Sequence, residues 1–405
     1  MYNTIVMKLE EIYNRFILKI ERALDTNFWL WKLVGCCVVL TLFLAFPPYS
    51  LLFQHFSAQG AKLDAWTFIH NQAQDLLHPA DFSIGVRREA MVFRWVLPGL
   101  YRLFGENLIL ILFLQFGLAV GFLYRVGSFA YTLFQDKVIT ALILFSISNT
   151  FVGVWGFADI HGYGDIIAYF LLLWAITSRN WILIFLAMLG AYFTDERAVV
   201  AGGYVLIFWA VSEALARGRA DFKSLIKTVF TGRSTAVWLA WVVYLSVRLY
   251  IKLNYFQQHH YSAVGMPVML ENQHRSGLGS SLWSVFEGLW LVLIAAFTVL
   301  WLQSKRWISL FFLSGFLVLL TTGLYVHDVD RAFGYGFPFI LLSLVILKYC
   351  TDRVPLQLIL FFCMNVCVAQ LQVFTMGYNV IVWVEPLPIK ALIFLSRYLG
   401  WGIFV

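Results

Sequence analysis

The chain has 405 residues, of which 61% are hydrophobic, 18% aromatic and only 13% charged, and its mean hydropathy is +0.78. That composition excludes a soluble globular domain and a disordered chain, and apolar runs of ~18 or more residues recur throughout, as repeated membrane crossings require. The formal charge of +7 does not imply nucleic acid, because the basic residues lie in short loops between apolar runs, where the positive-inside rule accounts for them.

Residues 1–28 carry Ile5, Leu9, Ile12, Phe16, Ile20 and Leu24 on one side of a helical wheel and Lys8, Arg15, Lys19 and Arg22 largely elsewhere. This predicts an amphipathic helix on the cytoplasmic surface. The rest, 29–405, reads as one transmembrane domain. Its first crossing runs from about Trp29 to Phe46 and ends at Pro47-Pro48; with no small-residue cleavage site, it reads as a retained anchor.

The external loop at 54–104 is expected to hold two amphipathic helices. One spans Asp64-Ala-Trp-Thr-Phe-Ile-His70 and continues to Asp75; His78-Pro79 breaks it, and Phe93-Arg94-Trp-Val-Leu-Pro98 begins the second. Further crossings are expected at about 107–124, 138–157, 164–178, 181–194, 198–215, 235–253, 283–303, 307–325, 333–350 and 355–378, with a last apolar segment at about 387–405. The fold class is therefore all-α, a polytopic bundle of about 11–12 crossings.

With the amino terminus inside, every inside turn is basic: Arg125 and Lys137, Arg179, Arg217 to Arg233, Lys305-Arg306, and Lys348 with Arg353. The acidic clusters then share the other side: Asp64 to Arg102, Asp159 to Asp165, Asp195-Glu196-Arg197, and the turn His327-Asp-Val-Asp-Arg331.

Four ionisable groups between two apolar runs, His327, Asp328, Asp330 and Arg331, mark one wall of a site, since a charge at a helix centre costs roughly 2.5–3.5 kcal/mol. A guanidinium there suits a membrane-level phosphate, or else an internal salt bridge with Asp328 or Asp330. Asp64, held near the surface by a helix, can act as a general base or merely cap that helix, and Asp75 is its competitor. Asp195-Glu196 can complement a helix dipole, or orient a sugar hydroxyl and hold Arg197. The glycine-rich Asp159-Ile-His161-Gly-Tyr-Gly-Asp165 is a helix-connecting turn able to approach a ligand closely, without dinucleotide or Walker spacing. His259-His260 and His274 have no carboxylate at helical spacing and read as a polar loop. Cys36, Cys37, Cys350, Cys363 and Cys367 form neither a disulfide framework nor a zinc pattern, so no metal is expected.

This layout resembles the GT-C superfamily of membrane glycosyltransferases, which use polyprenyl-phosphate-linked sugars. The resemblance rests on Asp64 in the first external loop with its two surface helices, on Thr194-Asp-Glu-Arg197, on His327-Asp-Val-Asp-Arg-Ala-Phe333 and on Phe93-Arg-Trp-Val-Leu-Pro98. It covers about the first 350 residues as a layout, and the chain departs from larger members in having no large carboxy-terminal soluble domain. The resemblance implies sugar transfer from a polyprenyl phosphate to a glycan, lipid or protein hydroxyl, at the extracytoplasmic face of a bacterial inner membrane and without a cofactor. Asp64 would be the base; Arg331 and His327 would bind the donor phosphate. Asp328, Asp330, Asp195, Glu196, Arg197, Asp159, His161, Asp165 and Arg94 would orient sugar and acceptor. A transporter or flippase, and a non-catalytic assembly protein, are the alternatives.

Overall fold

The computed structural model describes residues 15, 17–45, 64–77, 92–218, 221–255, 266–273, 278–369, 373–376, 380–383 and 387–400. The His259-His260 and His274 loop, and most of the amino-terminal helix, lie outside them. The described chain is a polytopic all-α bundle with one short two-stranded ribbon, Val373–Met376 against Val380–Trp383. Six helices are long and apolar enough to cross a membrane, and up to eight if each of two bent pairs counts as one span; three shorter apolar helices make up most of the difference from the 11–12 crossings expected.

The elements follow in order. Helix α1 (Ile17–Leu24) meets α2 (Trp29–Leu44) at 118°. In the first loop lie α3 (Asp64–Gln74) and α4 (Val96–Leu103), which pack on each other. Then come α5 (Leu108–Phe134), α6 (Lys137–Ser148) bent by 57° into α7 (Phe151–Ala158), α8 (Asp165–Thr177), α9 (Trp181–Thr194) and α10 (Arg197–Ala216). The second half holds α11 (Phe222–Phe230), α12 (Ser234–Tyr255), α13 (Met266–Gln273), α14 (Leu278–Phe286) joined through a 3-10 turn at Glu287–Leu289 to α15 (Trp290–Leu302), and α16 (Arg306–Leu324). Last are α17 (Val329–Gly334), α18 (Phe337–Cys350), α19 (Arg353–Ala369) and α20 (Leu387–Tyr398).

Local chemistry sets the boundaries. Asn107 caps α5 by accepting from the Ile109 and Leu110 amides, and Asp136 caps α6 through Val138 and Ile139. Helix α5 runs ten residues beyond the expected end at 124, because Arg125 need not leave the helix: its guanidinium stacks 4.6 Å from Trp174 and donates to Thr177 Oγ1 at 2.7 Å. Helix α19 stops at Ala369 rather than near 378, and the ribbon follows.

The polar contacts sort the bundle into two ends. At one, Lys137 binds Leu24 O and Asp25, Arg353 binds Asp136, Gln303 and Lys305 reach Cys350, and Arg217 and Arg233 share Glu213. These are the basic turns of the sequence. At the other, Trp66 binds Ile160 O, Arg94 binds Asp195 and Glu196, and Arg331 binds Asp165. Each of these contacts stays within its own end, the arrangement of a chain that crosses back and forth.

Candidate functional site

Three arginines and four carboxylates meet at the end of the bundle opposite the basic turns: Arg94, Arg197 and Arg331 with Asp165, Asp195, Glu196 and Asp328. They arrive from separate segments: the turn before α4, the start of α8, the α9–α10 junction and helix α17.

Arg331 is the centre. Its Nε donates to Asp165 Oδ2 at 2.7 Å and its Nη2 to Asp165 Oδ1 at 3.1 Å, a bidentate pair with both side chains almost fully buried. Its Nη1 reaches Asp328 at 3.0 Å, Nη2 also reaches Asp195 at 3.4 Å, and the guanidinium carbon lies 4.0 Å from the Tyr163 ring centroid. Asp165 accepts further from Trp155 Nε1 and Tyr335 Oη, each at 2.9 Å, so four donors satisfy its two oxygens. A charge pair this deep survives desolvation only when its remaining lone pairs are filled in this way.

A second fork lies alongside. Arg94 Nε and Nη2 clasp Glu196 at 2.9 and 2.8 Å while Nη1 reaches Asp195 at 3.2 Å. Burial alone would lower the proton affinity of Arg94, but Asp195 and Glu196 reverse this and hold it above its ordinary value. Arg197 pairs with Asp195 at 2.9 Å and with Asp328 at 3.3 Å. Asp195, fully buried, therefore faces three guanidiniums; burial pushes its carboxyl up, and Arg197, Arg94 and Arg331 together hold it down at about 2.

Asp328 is one of two partly open carboxylates in the cluster. Its side chain is 34% exposed, and one oxygen, Oδ2, accepts from both Arg331 and Arg197. Glu196, at 30%, is the other partly open carboxylate, whereas Asp165 and Asp195 are sealed.

The remaining expected residues take distinct places. Asp159 accepts from the amides of His161, Gly162, Tyr163 and Gly164 in its own loop, and from Gln115 Nε2 of α5 at 3.4 Å, and so shapes the turn that delivers Asp165. His161 and His327 are half-buried in this region. Asp330 is buried and accepts from the Arg331 amide at 2.9 Å; the internal salt bridge of Arg331 within its own turn is with Asp328. Asp75 accepts from the Leu77 amide in an exposed turn.

The Asp64 side chain lies outside the described residues, but its helix is placed. Trp66 Nε1 donates to Ile160 O at 2.7 Å, and a Cβ at Gly162 would sit 2.7 Å from Ile69 Cδ1 and 2.9 Å from the Trp66 ring. Gly162 has φ of +85°, so only glycine gives both the left-handed turn and this close approach. Helix α3 is thus docked on the loop that carries Asp165.

The hub role of Asp165 was not legible in sequence, nor were Trp155, Tyr163 and Tyr335. Their only signal is an aromatic ring with a donor beside a charged turn, which 18% aromatic content makes common. Among the described residues no group of His, Cys, Asp and Glu is arranged to hold a metal ion. The six spanning helices make this an integral membrane protein; no family model, curated protein or solved structure matches the chain.

Proposed function

We propose that the protein is a membrane glycosyltransferase that moves a sugar from a polyprenyl-phosphate donor to an acceptor hydroxyl at the extracytoplasmic face. One observation carries this reading: arginines and carboxylates from four separated segments converge on one end of the bundle, against the loop on which the Asp64 helix is docked.

The chemistry follows from exposure and charge. Asp328 Oδ2, bridging Arg331 and Arg197, occupies a position that a phosphate oxygen suits, and it is the most exposed carboxylate of the cluster. A donor phosphate displaces Asp328 and takes the two guanidiniums, which then stabilise the charge that grows on it as the glycosidic bond breaks. Asp64 receives the acceptor proton. Arg94, Glu196 and Asp195 keep Arg197 in place, and Asp165 keeps Arg331 in place.

The test uses Asp64→Asn and Arg197→Gln. Arg331→Ala is unsuitable, because it strands the sealed Asp165 carboxylate and unfolds the site. Protein in micelles is incubated with a panel of polyprenyl-phosphate hexoses, and release of polyprenyl phosphate is measured. Both variants are expected to lose at least 100-fold in rate while inserting normally; wild-type rates in both refute the assignment.

A second reading, a transporter of a lipid-linked or polar substrate, has its own observation. Helix α14–α15 is interrupted within its span at Glu287, whose side chain is 1% exposed and whose two carboxylate oxygens have no hydrogen-bond partner among the described residues. Interrupted helices with an ionisable group in the span are characteristic of transport sites. Passage of the intact donor across sealed proteoliposomes, without cleavage, would favour that reading.

A further inference from the structure

The basic end contains a hollow that the proposed chemistry does not use. Helix α8 has 13 residues and α5 has 27, so they are about 20 and 40 Å long. They meet where Arg125 binds Thr177 at the end of α8, nine residues before Phe134. Helix α5 therefore continues about 14 Å past its neighbour. The space left open is a cavity of about 560 Å³ between α5, α8, α10 and α18.

Its chemistry is one-sided. Arg125 stands inside an apolar helix and has no carboxylate partner among the described residues; only one of its nitrogens donates, to Thr177, and its Nε is buried with no acceptor. Ser212, on the facing helix α10, also has a buried oxygen with no partner among the described residues. Thr177 is already satisfied, donating to Leu173 O at 2.9 Å and accepting from Arg125. Arg233, stacked 4.6 Å from Trp209, adds a second cation, and Glu213 is held by Arg217 and Arg233. Glu213, the one carboxylate among the lining residues, is thus spent on other arginines, and Arg125 is left without an acceptor of negative charge. The cavity's other walls are mostly apolar and aromatic, among them Phe129, Leu133, Phe208 and Val345, with Ser128 and Thr132 of α5 between them. A guanidinium in a membrane helix without a counter-ion marks a ligand site by default, and an amphiphile with an anionic head satisfies both kinds of wall.

We propose that this cavity binds the phosphate of an anionic phospholipid, with the half-buried Arg125 guanidinium donating to the phosphate oxygens, the Ser212 hydroxyl turning to join it, and the acyl chain lying against Phe129, Leu133 and Phe208. The level agrees: α8 ends and α9 begins here, with Trp181 exposed on the outside, as expected for a headgroup region rather than the hydrocarbon centre.

The experiment uses the delipidated full chain in zwitterionic micelles, titrated with phosphatidylglycerol, phosphatidylcholine or inorganic phosphate and followed by native mass spectrometry and thermal unfolding. Phosphatidylglycerol is expected to bind saturably and raise the melting temperature; phosphatidylcholine is not. Ser212→Ala should weaken binding about tenfold and Arg125→Gln on the order of 100-fold. Because the Ser212 hydroxyl makes no hydrogen bond among the described residues, Ser212→Ala should melt no lower than wild type without lipid, which separates lost binding from lost structure. Equal phosphatidylglycerol affinity in wild type and Ser212→Ala overturns the site. Stabilisation by inorganic phosphate with no further gain from phosphatidylglycerol overturns the lipid as its source.

Discussion

Asp165→Asn isolates the pair on which the charged end is built. The carboxylate accepts two bonds from Arg331, one from Trp155 and one from Tyr335, and its side chain is fully buried. An amide keeps the volume but offers one acceptor and turns two hydrogens toward donors. Breaking a buried pair by removing one partner costs about 3–5 kcal/mol. Arg331 keeps Asp328 and the longer contact to Asp195, so the lower figure applies: about 3 kcal/mol, roughly 100-fold in the folded-to-unfolded ratio. Thermal unfolding in detergent, followed by reaction of a thiol probe with the buried Cys37, Cys363 and Cys367, measures it. The control is a double-mutant cycle with Arg331→Met. Removing both partners should cost less than the sum of the single losses by at least about 1 kcal/mol. A variant that melts with wild type, or additive losses around the cycle, would show that Asp165 and Arg331 do not hold each other.

Gly162→Ala places a Cβ against Ile69 and Trp66 at φ of +85°, so it should cost about 1–3 kcal/mol and loosen the Asp64 helix, read as faster hydrogen exchange over residues 64–74. Glu287→Leu removes a carboxyl whose oxygens have no partner among the described residues, so it should raise stability by about 1–3 kcal/mol in the same melting assay. If Glu287 carries a transported proton or cation, uptake must fail in that more stable variant; unchanged uptake removes the transport reading's main support. Asp195 is held at about 2 in the fold against an ordinary 3.8. Its contribution, about 2 kcal/mol, is therefore complete above the ordinary value and is lost as pH falls toward 2. Asp195→Asn should flatten that part of an acid-unfolding curve, and an unchanged curve would contradict the assignment.

Much of the architecture was legible because a bilayer enforces it. Apolar runs had to become helices, since only helices satisfy their own backbone groups in hydrocarbon, and basic turns sorted to one end. Span boundaries were less legible where a side chain substitutes for a turn: Arg125 stays in its helix because Trp174 and Thr177 receive it. The break at Glu287 is marked only by the pair Glu287-Gly288 inside an otherwise apolar run, through which the expected crossing at 283–303 passes without interruption.

The sequence by itself determined which residues carry charge at the non-basic end, since every ionisable side chain there is an exception in an apolar chain. It could not determine their partners. Asp165 and Arg331 are 166 positions apart, and Arg94 and Glu196 are 102. Pairing at such separations has no periodicity to reveal it, and depends on which helices lie side by side. Tertiary packing alone decided that Asp165 and Asp195 are sealed and saturated while Asp328 remains open, because the number of donors around a carboxylate is a property of the helices that surround it.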